Sequence, residues 1–197
     1  MKGGVILAVW LIGTAGALTA TALPKLLPRE APAVIKESGL AQEFHLPLNL
    51  GNQVLGKEEK PIWINAWRYG CPCSADREKE VRQLLKEFGG EFEVLHLISP
   101  GLSPEAEVLK EWHSKGIPGE VLIDPEGDSA LKLGLWAAPT ALILDSGGSV
   151  VFRGSYNVAR SCFDDKTSFG RMALTVAAQG GRPEVKEVPS YGCSIIP

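Results

Sequence analysis

Two of the four cysteines in this 197-residue chain, Cys71 and Cys73, flank a single proline in the stretch Trp67-Arg68-Tyr69-Gly70-Cys71-Pro72-Cys73-Ser74. Thiols this close together exchange electrons with disulfides, bind soft metals or staple a fold. The flanking sequence narrows the choice. Pro61-Ile62-Trp63-Ile64-Asn65-Ala66-Trp67 is an apolar run rich in β-branched and aromatic residues and reads as a buried strand. Glu78 to Phe88 carries Val81, Leu84, Leu85 and Phe88 on one helical face, with charges between them. The cysteines therefore fall where a strand gives way to a helix. A thiol at a helix N-terminus meets unsatisfied amides and the positive end of the helix dipole, and both favour thiolate. Pro72 suits the first helical position, where its missing N–H costs nothing. Cys71 is thus the expected attacking sulfur and Cys73 the expected resolving thiol, closing a Cys71–Cys73 disulfide after a mixed disulfide has formed. Side chains at i and i+2 point in nearly opposite directions on a helix. Such a bridge is strained unless Cys71 lies just outside the helix, and because strain favours the reduced form the pair is expected to be less reducing than an ordinary C-x-x-C pair.

Other readings of the same residues stay open. The bland alternative to a redox pair is that Cys71 and Cys73 are two unpaired thiols, or that each bridges one of the distant cysteines in a stapled fold. A copper(I) protein would use the two thiolates with an imidazole, and His113 and His96 are the available ones, the first on an expected surface helix and the second in an expected core strand. Cys162 and Cys193 flank the last expected helix. Their simplest reading is a structural disulfide tying the tail Gly192-Cys193-Ser194 back to the loop after Arg153, worth about 3 to 4 kcal/mol on the chain-entropy model. The alternative is a second redox pair, with Arg160 beside Cys162. Four cysteines admit three pairings, and sequence does not choose among them.

The compartment bears on the choice. After Met1 and Lys2, residues 3–23 contain no charged side chain, about the 20 residues that span the hydrocarbon core. The segment reads as a membrane anchor. Ala20-Thr21-Ala22 also resembles a signal-peptidase site, which would release a cleaved periplasmic form. Either outcome puts the remaining chain on the periplasmic or extracytoplasmic side. Residues 24–43, with three prolines between Pro24 and Pro32, read as a linker, 44–182 as one globular domain, and 183–197 as a tail. With 20 basic and 23 acidic residues the chain has a net charge of −3, which gives no electrostatic reason to bind nucleic acid.

Around the cysteines the elements alternate. Phe44 to Leu55 reads as a short irregular hairpin, Phe92 to Ile98 as a second strand, and Ser103 to Gly116 as a helix with Val108, Leu109 and Trp112 on one face. A short strand Val121-Leu122-Ile123 and a helical piece from Ser129 to Leu135 lead to Ala137-Ala138-Pro139-Thr140. Strands over 140–144 and 149–153 flank the turn Asp145-Ser146-Gly147-Gly148 and form a hairpin. Thr167 to Gln179 reads as the last helix, with Phe169, Met172, Ala173 and Val176 inward. The implied fold class is α/β: a central mixed sheet with helices on both faces.

The strand, the Trp67 to Ser74 stretch, the amphipathic helix and the later Ala138-Pro139-Thr140 before a hairpin together resemble the thioredoxin-like superfamily. The likeness is to exported, membrane-anchored thiol-disulfide oxidoreductases of the TlpA and ResA type, over roughly Phe44 to Arg153. The resemblance implies a thioredoxin fold and dithiol–disulfide exchange with protein thiols. It also implies a membrane or exported redox partner and no dissociable cofactor, copper belonging only to the rival reading. Cys71 would be the nucleophile and Pro139 a cis-proline abutting the cysteines, with Trp67, Ala138 and Thr140 around the substrate peptide. The sequence departs from the family pattern at three places. Cys73 comes one position early, with Ser74 where the second cysteine usually falls. Gly70 replaces the tryptophan that commonly precedes the first cysteine. Asn65 stands where thioredoxin proper has a buried carboxylate, and Glu120 is the nearest substitute the sequence offers. A peroxidase of the same superfamily is not the expected reading, because Arg68 holds the place of the threonine that such enzymes carry three positions ahead of the reactive cysteine.

Overall fold

The computed structural model describes residues 28–157 and 168–196. In chain order, α1 (Ala33–Ser38) precedes the hairpin β1 (Leu48–Leu50) and β2 (Gln53–Leu55), then β3 (Ile62–Arg68), α2 (Pro72–Phe88) and β4 (Glu93–Ser99). Next come α3 (Glu105–Ser114), β5 (Glu120–Ile123), α4 (Asp128–Lys132), β6 (Ala137–Ala138), β7 (Thr140–Leu144) and β8 (Val150–Gly154). The chain ends with α5 (Phe169–Ala178), β9 (Glu187–Val188) and β10 (Cys193–Ser194).

The main sheet has the order β5-β4-β3-β7-β8-β9. Parallel pairing joins β3, β4 and β5, and antiparallel pairing joins β3, β7 and β8, so the sheet is mixed. The strand β3 lies at its centre because its residues are apolar on both faces, as a strand covered on both sides requires. Trp63 and Trp67 point into a cluster with Val81, Leu84 and Phe88 of α2, Trp112 of α3, and Ala173 and Leu174 of α5. Ile62, Ile64 and Ala66 point the other way, against Leu50, Leu55 and Leu133 beneath the β1–β2 hairpin and α4. Helices therefore cover both faces, as the alternation of elements implied.

Three expectations need correction. The segment 24–43 is not a free spacer over its described part, because Ile35 is buried and the Arg29 N–H donates to Ser190 O at 2.6 Å. The tail is part of the fold, since β9 extends the main sheet beside β8 and β10 pairs with β6. In α5 the inward stripe is Gly170, Ala173, Leu174 and Ala177, while Met172 faces solvent and Val176 is half-buried. The helix sits so close that a Cβ added at Gly170 would lie 2.3 Å from Tyr156 Cδ1, so only glycine permits that approach. The expected membrane segment 3–23 lies outside the described residues. Among the described residues, no helix is long and apolar enough to cross a membrane.

Candidate active site

The turn between β3 and α2 is made by local chemistry. Gly70 takes φ 68°, a left-handed conformation that a side chain disfavours, and this turns the chain from the strand edge into the helix. Cys71 follows as the N-cap in an extended conformation, and Pro72 occupies the first turn. Cys71 thus lies just outside the helix, as a close cysteine pair demanded. Ser74, in the place of the family's usual second cysteine, accepts a hydrogen bond from the Arg68 N–H at 3.3 Å and so fastens the turn to the strand end.

Pro139 lies opposite, after a cis Ala138–Pro139 bond, as the resemblance implied. Cys71 Sγ stands 3.9 Å from the carbonyl oxygen of Ala138. Trp67 is buried and lines an open groove of about 360 Å³ beside Cys71, together with Tyr69, Glu111, Trp112 and Lys115. Thr140 is fully buried, and its hydroxyl donates to Ala137 O at 2.8 Å, so it shapes the proline turn rather than facing a substrate.

The disulfide is not the expected one. Cys71 is bonded to Cys193, 122 residues away, and Cys73 is a free, buried thiol. The expected Cys162–Cys193 staple is therefore not formed in this structure, and Cys162 and Arg160 lie outside the described residues. The physical reason is the tail. The strand β10 pairs antiparallel with β6, setting Cys193 opposite Ala138 and bringing its sulfur to Cys71. The sulfurs of Cys71, Cys73 and Cys193 all lie within 4.8 Å of one another, so the free Cys73 thiol sits beside a Cys71–Cys193 bond in place of the expected Cys71–Cys73 pair.

The imidazoles do not join it. His96 is fully buried, its Nε2 donates to Pro118 O at 2.9 Å, and its Nδ1 accepts from Trp67 Nε1 at 3.3 Å, which occupies both ring nitrogens and fixes a neutral tautomer. Burial holds its pKa down to about 4 from 6.5. A histidine depressed on folding takes up protons preferentially when unfolded. Its contribution is therefore fully present above about pH 6.5 and is lost as pH falls toward 4, up to ~3 kcal/mol. His96→Gln is expected to flatten the fall in stability over this window, measured by urea unfolding at neutral and acid pH against the parent chain. An equally steep fall in the variant would refute this. His113 is exposed on α3.

Asn65 is buried on the α2 side of β3, and both atoms of its amide lack a partner among the described residues. A neutral amide thus occupies the place of thioredoxin's carboxylate. Glu120 is exposed on the edge strand β5, paired with Leu95, and does not replace it. Sequence reasoning missed a buried polar cluster behind Cys73. Arg77 shares a small pocket with Cys73, Pro139, Tyr191 and Gly192 and is ion-paired with Glu80, which also accepts from Ser168 Oγ at 2.7 Å. The available signal was the placement of Arg77 one helical turn after Cys73, on the face that Val81 and Leu84 bury.

No family model matches the chain. A thiol:disulfide interchange protein DsbE of Pasteurella multocida is 24% identical over 115 residues, a match that covers 56% of this chain and 59% of that protein. The chain thus spans less than two thirds of the length of that curated relative. Among solved structures, a hypothetical protein of Sinorhizobium meliloti superposes with a TM-score of 0.62 at 18% identity, over 86% of this chain and 96% of that one. A putative thiol:disulfide interchange protein DsbE of Chlorobium tepidum gives 0.51 at 18% identity, over 71% and 99%. With the mixed sheet, the cysteine at the start of α2 and the cis-proline opposite it, these likenesses establish that the chain has a thioredoxin-like fold.

Proposed function

We propose that the protein is a thiol-disulfide oxidoreductase that exchanges disulfides with protein thiols outside the cytoplasm, held at a membrane by residues 3–23. The observation that carries this reading is Cys71 itself, seated at the N-terminus of α2, 3.9 Å from the carbonyl of Ala138 and already in a disulfide. The helix terminus stabilises negative charge on sulfur both when Cys71 attacks and when it leaves. The redox group is the cysteine disulfide, and no dissociable cofactor is needed. Pro139 and Ala138 present the backbone edge for a substrate peptide, and Trp67 forms the wall of the adjoining groove. The names of the interchange relatives and the apolar N-terminal segment support the substrate class and the compartment. A membrane or exported redox partner resets the cysteines after each turnover. The test is disulfide transfer from the oxidised chain to a reduced dithiol peptide. The peptide disulfide is expected to appear as the Cys71–Cys193 linkage disappears, and absence of transfer would refute the reading.

The three-sulfur cluster favours one second reading, a copper(I) carrier. It would work only when the centre is reduced, through three thiolates and without His96, whose ring nitrogens are both engaged. Titration of the reduced chain with copper(I) against a competing chelator separates the two. Stoichiometric binding together with no disulfide transfer would favour the carrier.

A further inference from the structure

The tail does more than close a disulfide. The strand β10 takes the position that an extended peptide would occupy on the edge of the site, pairing Cys193 with Ala138 and Ser194 with Ala137 directly before Pro139. It is held there by contacts independent of sulfur. Ile195 is buried, and its N–H donates to Trp136 O at 3.1 Å. Arg68 Nη1 donates to Ser194 O at 2.6 Å, and Arg29 Nε donates to Gly192 O at 2.7 Å. The residue before the cysteine must be glycine. A Cβ at position 192 would lie 2.1 Å from Ala138 O and 3.4 Å from Cys73 Cβ, and Gly192 has φ 108°. Cys73, by contrast, is fixed in the first turn of α2 beneath this strand.

We propose that Cys193 is the resolving thiol of the exchange cycle, delivered along the same backbone edge that receives the substrate, and that Gly192 admits it. This deepens the exchange reading given above and rests on it. In the reducing direction the Cys71 thiolate attacks one sulfur of a substrate disulfide. That S–S bond breaks, the second substrate sulfur leaves as thiolate and takes a proton from water, and a Cys71–substrate disulfide remains. The Cys193 thiolate then attacks Cys71 Sγ, the Cys71–Cys193 bond forms, and the remaining substrate sulfur leaves as thiolate. The substrate disulfide gains two electrons and the two protein thiols lose them. The reverse sequence gives a disulfide to a substrate dithiol. Because β10 and an extended substrate compete for Ala138, return of the tail both resolves the mixed disulfide and displaces the product. The same competition defines the favoured ligand as an extended segment with glycine before its reactive cysteine.

The experiment uses the reduced full chain and the symmetric disulfide of a short Gly-Cys-Ser peptide, with acid quenching and mass mapping of the Cys71 adduct. Cys193→Ser is expected to prolong the Cys71–peptide adduct by about tenfold or more over the parent. Gly192→Val is expected to do the same while keeping the Cys193 thiol, and Cys73→Ala is expected to match the parent. Adduct accumulation in Cys73→Ala, or rapid resolution in Cys193→Ser, overturns the assignment of Cys193 while leaving Cys71 exchange intact. An absence of any Cys71 adduct in all the chains instead overturns the exchange reading, and this inference with it.

Discussion

Cys71→Ser is expected to lower disulfide transfer by about a thousandfold or more, to the rate of the uncatalysed exchange. A serine hydroxyl is scarcely ionised at neutral pH and forms no disulfide, so the substitution removes both the nucleophile and the bond that stores the electrons. The other thiols do not replace it. Cys73 is buried at the second position of α2, inside the helix rather than at its N-cap. Cys193 sits on the tail, opposite Ala138, and is carried by β10 rather than by the N-cap of α2. The fold itself is expected to persist, because β3, α2 and their packing do not depend on the sulfur. Transfer assays with reduced and oxidised peptide substrates check the expectation. Retention of more than about a tenth of the parent rate would place the attacking sulfur elsewhere.

The second large effect is on stability. The Cys71–Cys193 bond closes a loop of 122 residues. On the chain-entropy model such a link raises stability by about 5 kcal/mol relative to the open chain, a large share of the total for a domain of this size. Oxidised parent protein is therefore expected to exceed Cys193→Ser by roughly 4 to 5 kcal/mol in denaturant unfolding, and the two are expected to agree when both are fully reduced. The non-covalent seat of the tail, Ile195 and the carbonyls held by Arg68 and Arg29, remains in the variant, so the native fold is the common reference state. Equal stabilities under oxidising conditions would mean that the bond does not form in solution. The coupling also runs the other way, since whatever displaces the tail from Ala138 makes Cys71 easier to reduce.

The turn that holds Cys71 was legible because its signals are local. An apolar run, a glycine, a cysteine and a proline are followed by a 3.6-residue stripe within Pro61 to Phe88, and each choice points to the same strand–turn–helix. Pro139 was legible only through the resemblance, since nothing adjacent to it specifies a cis bond or a partner in the turn after β3. The cysteine pairing was not legible. It depends on a two-residue pairing between β6 and β10, and no spacing rule covers a sequence separation of 122. The interval between Cys162 and Cys193 suggested a local staple, while the tail in fact returns to the site. Arg77 and Glu80 were hidden for a related reason. Charged residues on an amphipathic helix read as a solvated face, and the contacts that bury these come from distant parts of the chain, Asn157 and Ser168 among them. In α5, Met172 outranks Gly170 by hydropathy, yet close packing against Tyr156 selects the glycine for the inward face.

The central claim is that Cys71 meets the substrate first and passes the bond to the tail. The most direct measurement mixes the reduced full chain with one equivalent of a disulfide-linked peptide, quenches with acid over time and maps every linkage by mass spectrometry. A Cys71–peptide disulfide is predicted to appear first and to decay into Cys71–Cys193 as free peptide thiol is released. A first adduct on Cys73 or Cys193, or a final Cys71–Cys73 bond with the tail thiol free, would contradict the account.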